Sequence, residues 1–197
     1  MGKALRHLVQ GVLTPLLEKL ATEAAALSIE PDQVTWAGFG ITLLACGILL
    51  LGYPSAAGAV FLLGCAFDML DGALARKRNQ ATPFGAFLDS TLDRLGEGML
   101  LTVIAYQLAV ENHSLAVPVV MVALMGSFLT SYVRARAEAL GVVCMEGWFT
   151  RPERVILLGV GLILGLPMET VFVLAVLSLW TAVQRIRHVQ ALLRMRT

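Results

Sequence analysis

Six apolar stretches follow one another along the chain, at roughly 34–52, 55–76, 84–110, 115–140, 152–167 and 169–190, and leave little sequence for anything else. A helix rises about 1.5 Å per residue, so about 20 residues cross a hydrocarbon core about 30 Å thick. The fifth stretch is short and carries Gly159, Gly161 and Gly165. Turn formers separate the stretches at Tyr53-Pro54-Ser55, Glu111-Asn112-His113-Ser114 and Leu166-Pro167. With 57% hydrophobic and 15% charged residues, against about 45–50% and 25% in soluble domains, a disordered tail and an ordinary cytosolic enzyme are excluded. The expected fold is an all-α integral membrane protein: one domain over 1–197, with six transmembrane helices bundled over 34–190. Residues 1–28 set Leu5, Leu8, Val9, Val12, Leu16, Leu17 and Leu20 against Lys3, Arg6, His7, Glu18, Lys19 and Glu23. That pattern predicts an amphipathic helix lying on the membrane surface, not a cleaved signal.

Charge placement gives the orientation. Of 15 Lys and Arg, 14 lie before span one or at one set of span ends: the end of span two and the loop after it, the end of span four, the start of span five, and the end of span six and the residues after it. The three opposite loops hold none, so both termini are expected in the cytoplasm, in a cell-membrane protein. The net charge of +1 gives no field for nucleic acid. Arg185, Arg187, Arg194 and Arg196 read as interfacial anchors. Cys46, Cys65 and Cys144 lack metal or disulfide spacing and read as small buried hydrophobes.

Asp68, Asp71, Asp89, Asp93 and Glu97 break the apolar pattern of spans two and three. Each Asp at mid-span costs about 2.5–3.5 kcal/mol on insertion scales, so the group must face a cavity, a cation or a partner. Asp68 and Asp71 are i, i+3 on one helix, and Asp89 and Asp93 i, i+4 on the next, so each pair shares a face. A short cytoplasmic loop joins the helices, which lets the pairs meet at similar depth. All-oxygen ligands select hard divalent ions such as Mg²⁺ or Mn²⁺. Arg76 and Arg94 are too few to balance the acids by themselves. On the residues alone, a metal-dependent enzyme and a cation or proton transporter both stand.

The run Asp68-Met-Leu-Asp71-Gly72-Ala-Leu-Ala75-Arg76, then Gly85, Asp89 and Asp93, resembles the signature of the CDP-alcohol phosphotransferase family, D-x2-D-G-x2-A-R-x8-G-x3-D-x3-D, at all eight fixed positions. The resemblance implies a membrane enzyme in which an alcohol attacks the β-phosphorus of a CDP-linked lipid and CMP leaves. By position it implies that Asp68, Asp71, Asp89 and Asp93 bind two divalent ions, Mg²⁺ or Mn²⁺, with Asp93 also the general base. Gly72 and Arg76 would contact the nucleotide and diphosphate, with Thr82 nearby. Pro31-Asp32-Gln33-Val34-Thr35 resembles the family's P-N-x-[VL]-T segment at the nucleotide site, with Asp32 in place of the usual Asn; either residue can also cap a helix. A homodimer and a lipid-bilayer setting are further implied.

Ser131-Tyr-Val-Arg134-Ala-Arg136-Ala-Glu138-Ala139 and Arg151-Pro-Glu153-Arg154 resemble the branch that makes phosphatidylinositol phosphate or archaetidylinositol phosphate. By that resemblance Ser131, Arg134 and Arg154, and less directly Arg151, would hold the phosphate of inositol 1-phosphate. The substrates would be CDP-diacylglycerol and this soluble polyol phosphate. Glycerol 3-phosphate would call for similar arginines, so a phosphatidylglycerophosphate synthase is the alternative within the family.

Overall fold

The computed structural model describes residues 19, 22, 30–78, 82–144 and 146–195. From residue 30 on, six helices follow in order among the described residues: α1 (Pro31–Leu50), α2 (Pro54–Lys77), α3 (Pro83–Val110), α4 (Ala116–Ala139), α5 (Arg151–Ile163) and α6 (Pro167–Arg194). Most of the expected interfacial helix lies outside the described residues; Lys19 and Thr22 are helical, and Lys77 Nζ donates to Thr22 Oγ1.

The helix ends follow from local chemistry. Pro occupies the first turn of α1, α2, α5 and α6, where its fixed φ fits and its missing N–H loses no bond. At the end of α1, Gly52 takes φ 84°, and Tyr53 N and Gly52 N donate to the carbonyls of Ile48 and Leu49. This is the left-handed stop that closes many helices. Asn112 does the same after α3 at φ 63°. Gly165, at φ 69°, ends α5 at Ile163, several residues short of the expected end of span five.

Among the described residues four helices, α1, α2, α4 and α6, are long and apolar enough to cross a membrane, and the chain is a multi-pass membrane protein. The expected count of six spans is met in part. The 13 residues of α5 reach only about 20 Å. Helix α3 has length to spare at 28 residues, but Asp89, Asp93, Arg94 and Glu97 interrupt its apolar run.

The helices pack as two compact units, Met1–Val103 and Ile104–Thr197, the division falling within α3. In the first, α1 and α2 approach closely through glycine. A Cβ on Gly38 would lie 3.1 Å from the Gly64 carbonyl, and one on Gly64 3.1 Å from that of Gly38. In the second, Gly126 of α4 faces Ser178 of α6, and Gly161 of α5 faces Thr170. Small residues at helix contacts are how helices approach where no hydrophobic drive separates helix from lipid. Val34 and Leu74 centre an apolar cluster in the first unit, and Ala137, Val142 and Cys144 one in the second. Leu51, Phe84, Phe87, Phe172 and Trp180 are exposed, as a bilayer setting requires. The three cysteines are free, with Cys46 and Cys144 buried.

Candidate active site

Helix α1 opens on a capping box: Glu30 accepts from the Gln33 backbone, and the Gln33 side chain accepts from Glu30 N at 3.1 Å. That leaves Asp32 and Thr35, three residues apart on one face, for another task. Both line a cavity of about 200 Å³ in the first unit, together with Pro31, Gly72, Arg76, Thr82 and Asp89. The capping role considered for Asp32 therefore falls to Glu30. Asp32 instead reaches α3, where a Cβ on Gly85 would stand 3.3 Å from its Oδ1. Two expected contributors are elsewhere: Gln33 is spent on the cap, and Val34 is buried against Leu74.

Asp71 is buried at 6% exposure and accepts from Thr35 Oγ1 at 2.5 Å. Thr35 Oγ1 also lies 3.2 Å from the Pro31 carbonyl, but its single proton goes to the shorter, charged contact. Asp71 of α2 and Asp89 of α3 line the same cavity. Asp68 Oδ1 fills the space a side chain at Gly38 would take, 2.6 Å from the position of that Cβ. Asp93 is 3.9 Å from Arg94 Nη1, and Arg94 also donates to the Ser90 carbonyl at 2.5 Å. Glu97 is buried.

Among the described residues no three His, Cys, Asp or Glu side chains stand together as a metal cluster. Asp71 and Asp89 share the cavity, while Asp68 and Asp93 are not on its lining. The donor chemistry still fits a hard divalent ion: all ligands would be carboxylate oxygens, at the edge of a cavity that also holds a guanidinium.

The second unit gathers arginines. Arg154 is 1% exposed and Arg185 5%. Arg185 donates from Nε to the Glu146 carbonyl at 2.8 Å and from Nη1 to the Thr130 carbonyl at 2.7 Å. The charges of Arg134, Arg154 and Glu138 all act on it. Arg134 is half-exposed and its Nε donates to Glu138 Oε1 at 2.9 Å. Ser131 and Arg151 are half-buried. Arg185 is thus no interfacial anchor. Val171, Leu174, Ala175, Ser178, Thr181, Ala182 and Arg185 form the buried stripe of α6, and extending its helical period to 185 was the signal available in the sequence. Arg187 and Arg194 are exposed.

Residues 29–193 match the family described as CDP-alcohol phosphatidyltransferase. The chain is 37% identical over 180 residues to archaetidylinositol phosphate synthase of Pyrococcus horikoshii, covering 91% of this chain and 93% of the relative. It is 36% identical over 183 residues to phosphatidylinositol phosphate synthase of Corynebacterium glutamicum, covering 87% and 82%. Its fold matches the crystal structure of Mycobacterium tuberculosis phosphatidylinositol phosphate synthase with CDP-DAG bound, at a TM-score of 0.82, 31% identity, and coverage of 89% of this chain and 94% of that one. The same mycobacterial enzyme with manganese and citrate gives a TM-score of 0.82 and 31% identity, covering 88% of each chain. Together with the carboxylate and arginine groups, this match over most of its length identifies the chain as a member of the CDP-alcohol phosphatidyltransferase family.

Proposed function

We propose that the protein transfers the phosphatidyl group of CDP-diacylglycerol to inositol 1-phosphate, releasing CMP and forming phosphatidylinositol phosphate. The observation that supports a phosphorylated acceptor is the arginine group of the second unit; the choice of inositol 1-phosphate over glycerol 3-phosphate leans on the names of the relatives. Two buried guanidiniums, Arg154 and Arg185, with Arg134 acting on one of them, concentrate positive charge that suits an anionic acceptor. A phosphomonoester supplies two negative charges in the fork geometry that arginine matches. The names of the relatives point the same way.

In this reading Pro31, Asp32, Gly72, Arg76 and Thr82 hold the CDP-lipid, with Arg76 set against the diphosphate oxygens. Asp68, Asp71, Asp89 and Asp93 hold divalent cations, Mg²⁺ or Mn²⁺. Asp68 and Asp93 lie one turn from Asp71 and Asp89 on the same helix faces. Bound cations would screen the charge of the diphosphate and of the leaving CMP. Asp93 takes the proton as the inositol hydroxyl attacks the β-phosphorus; the P–O bond to CMP breaks, and CMP leaves with the electron pair. Ser131, Arg134, Arg151 and Arg154 hold the acceptor phosphate, joined by Arg185. We further read α3 and α5 as completing a six-helix membrane bundle, with cytoplasmic termini, an N-terminal interfacial helix and a homodimeric state.

The test is CMP release by purified protein in detergent with CDP-diacylglycerol and Mg²⁺, offering inositol 1-phosphate, free inositol, glycerol 3-phosphate or serine in parallel. Release that requires inositol 1-phosphate supports the assignment. Release that requires glycerol 3-phosphate instead overturns the acceptor and keeps the chemistry.

A further inference from the structure

Arg154 projects from the first turn of α5, and that turn is tied down on both sides. Upstream, three residues of α6 strap the loop that leads into it. Thr181 Oγ1 accepts from Phe149 N at 3.3 Å, Gln184 Oε1 accepts from Trp148 N at 3.4 Å, and Arg185 Nε donates to the Glu146 carbonyl at 2.8 Å. Gly147 makes the strap possible: its φ is +127°, and a Cβ there would stand 2.8 Å from Thr181 Cγ2 and 3.1 Å from Arg185 Nε. Downstream, Thr150 and Glu153 close a capping box. Glu153 Oε2 accepts from Thr150 N at 2.9 Å and from Thr150 Oγ1 at 2.5 Å. The Thr150 carbonyl receives Arg154 N at 3.2 Å.

We propose that Glu153 is a positioning residue for the acceptor-phosphate site, acting through the cap at Thr150 on where Arg154 is held and not as a counter-ion to the arginines. The proposal rests on the acceptor-site reading above. A long arginine side chain on a frayed helix start loses much rotational freedom when it grips an anion. Fixing its turn in advance removes that cost from binding. The two roles differ in what they need from residue 153. A cap needs an oxygen acceptor, which Gln supplies as well as Glu; a counter-ion needs the charge.

The experiment compares Glu153→Ala with Glu153→Gln in the full-length enzyme in detergent. It reads KM for the acceptor, KM for CDP-diacylglycerol, kcat, and the inhibition constant of inorganic phosphate against the acceptor. Glu153→Ala is expected to raise the acceptor KM and the phosphate inhibition constant together by about tenfold, the scale of a lost cap. The CDP-diacylglycerol KM and kcat stay within twofold, and Glu153→Gln behaves as wild type. Should the alanine variant not fold, Thr150→Val removes the hydroxyl half of the same box and is expected to shift the same two constants. Glu153→Gln matching the alanine variant overturns the proposal in favour of a charge role. Unchanged acceptor and phosphate constants in Glu153→Ala, or in Thr150→Val where it stands in, overturn it outright. If wild type works only with glycerol 3-phosphate, the acceptor reading has failed, and the same comparison on that acceptor still decides the role of Glu153.

Discussion

Replacing Thr35 with Val keeps the side-chain shape and removes one proton donor. That proton goes to Asp71 Oδ2 at 2.5 Å, between side chains buried at 5% and 6% exposure. The distance is at the short end for a hydroxyl meeting a carboxylate. Hydrogen bonds to charged groups contribute about 1.5–3 kcal/mol, which converts to about 10- to 150-fold in an equilibrium constant. Losing the partner of a metal-ligating carboxylate typically costs about 10–100-fold in metal affinity or activity, so two independent routes give the same scale. Thr35→Val is therefore expected to raise the Mg²⁺ concentration for half-maximal CMP release by at least about tenfold, together with a lower melting temperature of the metal-free protein in detergent. Thr35→Ser, which keeps the hydroxyl, stays close to wild type. A Mg²⁺ titration of Thr35→Val within twofold of wild type in both midpoint and maximum would refute the reasoning that Thr35 holds Asp71 for a metal.

Asp93→Asn removes the proposed base and is expected to lower kcat by about 10²–10⁴, with CDP-diacylglycerol still protecting the variant against heat; near-normal turnover would move the base elsewhere. Chelation by EDTA is expected to abolish CMP release and added Mg²⁺ or Mn²⁺ to restore it; activity that survives exhaustive chelation contradicts the carboxylate assignment. Gly161→Ala places a Cβ 1.8 Å from Thr170 Oγ1 and 2.8 Å from Thr170 Cβ, an overpacking of about 1–3 kcal/mol seen as a lower melting temperature. Adding Thr170→Ala recovers only part of it, because the Cβ contact remains. Arg185→Met strips the Thr130 and Glu146 carbonyls of their donor, at about 1–3 kcal/mol each. It is expected to lower the melting temperature and weaken acceptor binding together; loss of neither would mean that Arg185 is spectator packing.

Helix positions were readable because their signals are local. Proline opens α1, α2 and α3, glycine or asparagine follows α1, α3 and α4, and an apolar run fills each helix, so α1 to α4 were placed within a few residues of their observed ends. The Asp68/Asp71 and Asp89/Asp93 pairs were equally plain, since carboxylates in apolar helices stand out whatever surrounds them. What escaped depends on helix phase and on which hydrogen bond wins. Asp32, Gln33, Val34 and Thr35 are consecutive, yet one reaches α3, one caps, one packs against Leu74, and one binds Asp71. Composition does not distinguish those fates. Arg185 precedes Arg187 and Arg194, which are exposed, and only the buried stripe of α6 separates it from them; Arg196 lies outside the described residues. The length of α5 turned on Gly165 adopting positive φ, although Gly159 and Gly161 precede it in the same apolar run.

The central claim is a transfer to a phosphorylated polyol, and the chloroform-soluble product reports it most directly. Purified protein would be incubated with CDP-diacylglycerol, inositol 1-phosphate and Mg²⁺, and the lipid product analysed by mass spectrometry and phosphorus NMR alongside CMP in the aqueous phase. The account predicts one lipid carrying both a new phosphodiester and the original phosphomonoester, formed one for one with CMP. Phosphatidic acid with CMP, from water taking the place of the alcohol, or no lipid product while another acceptor is consumed, would contradict it.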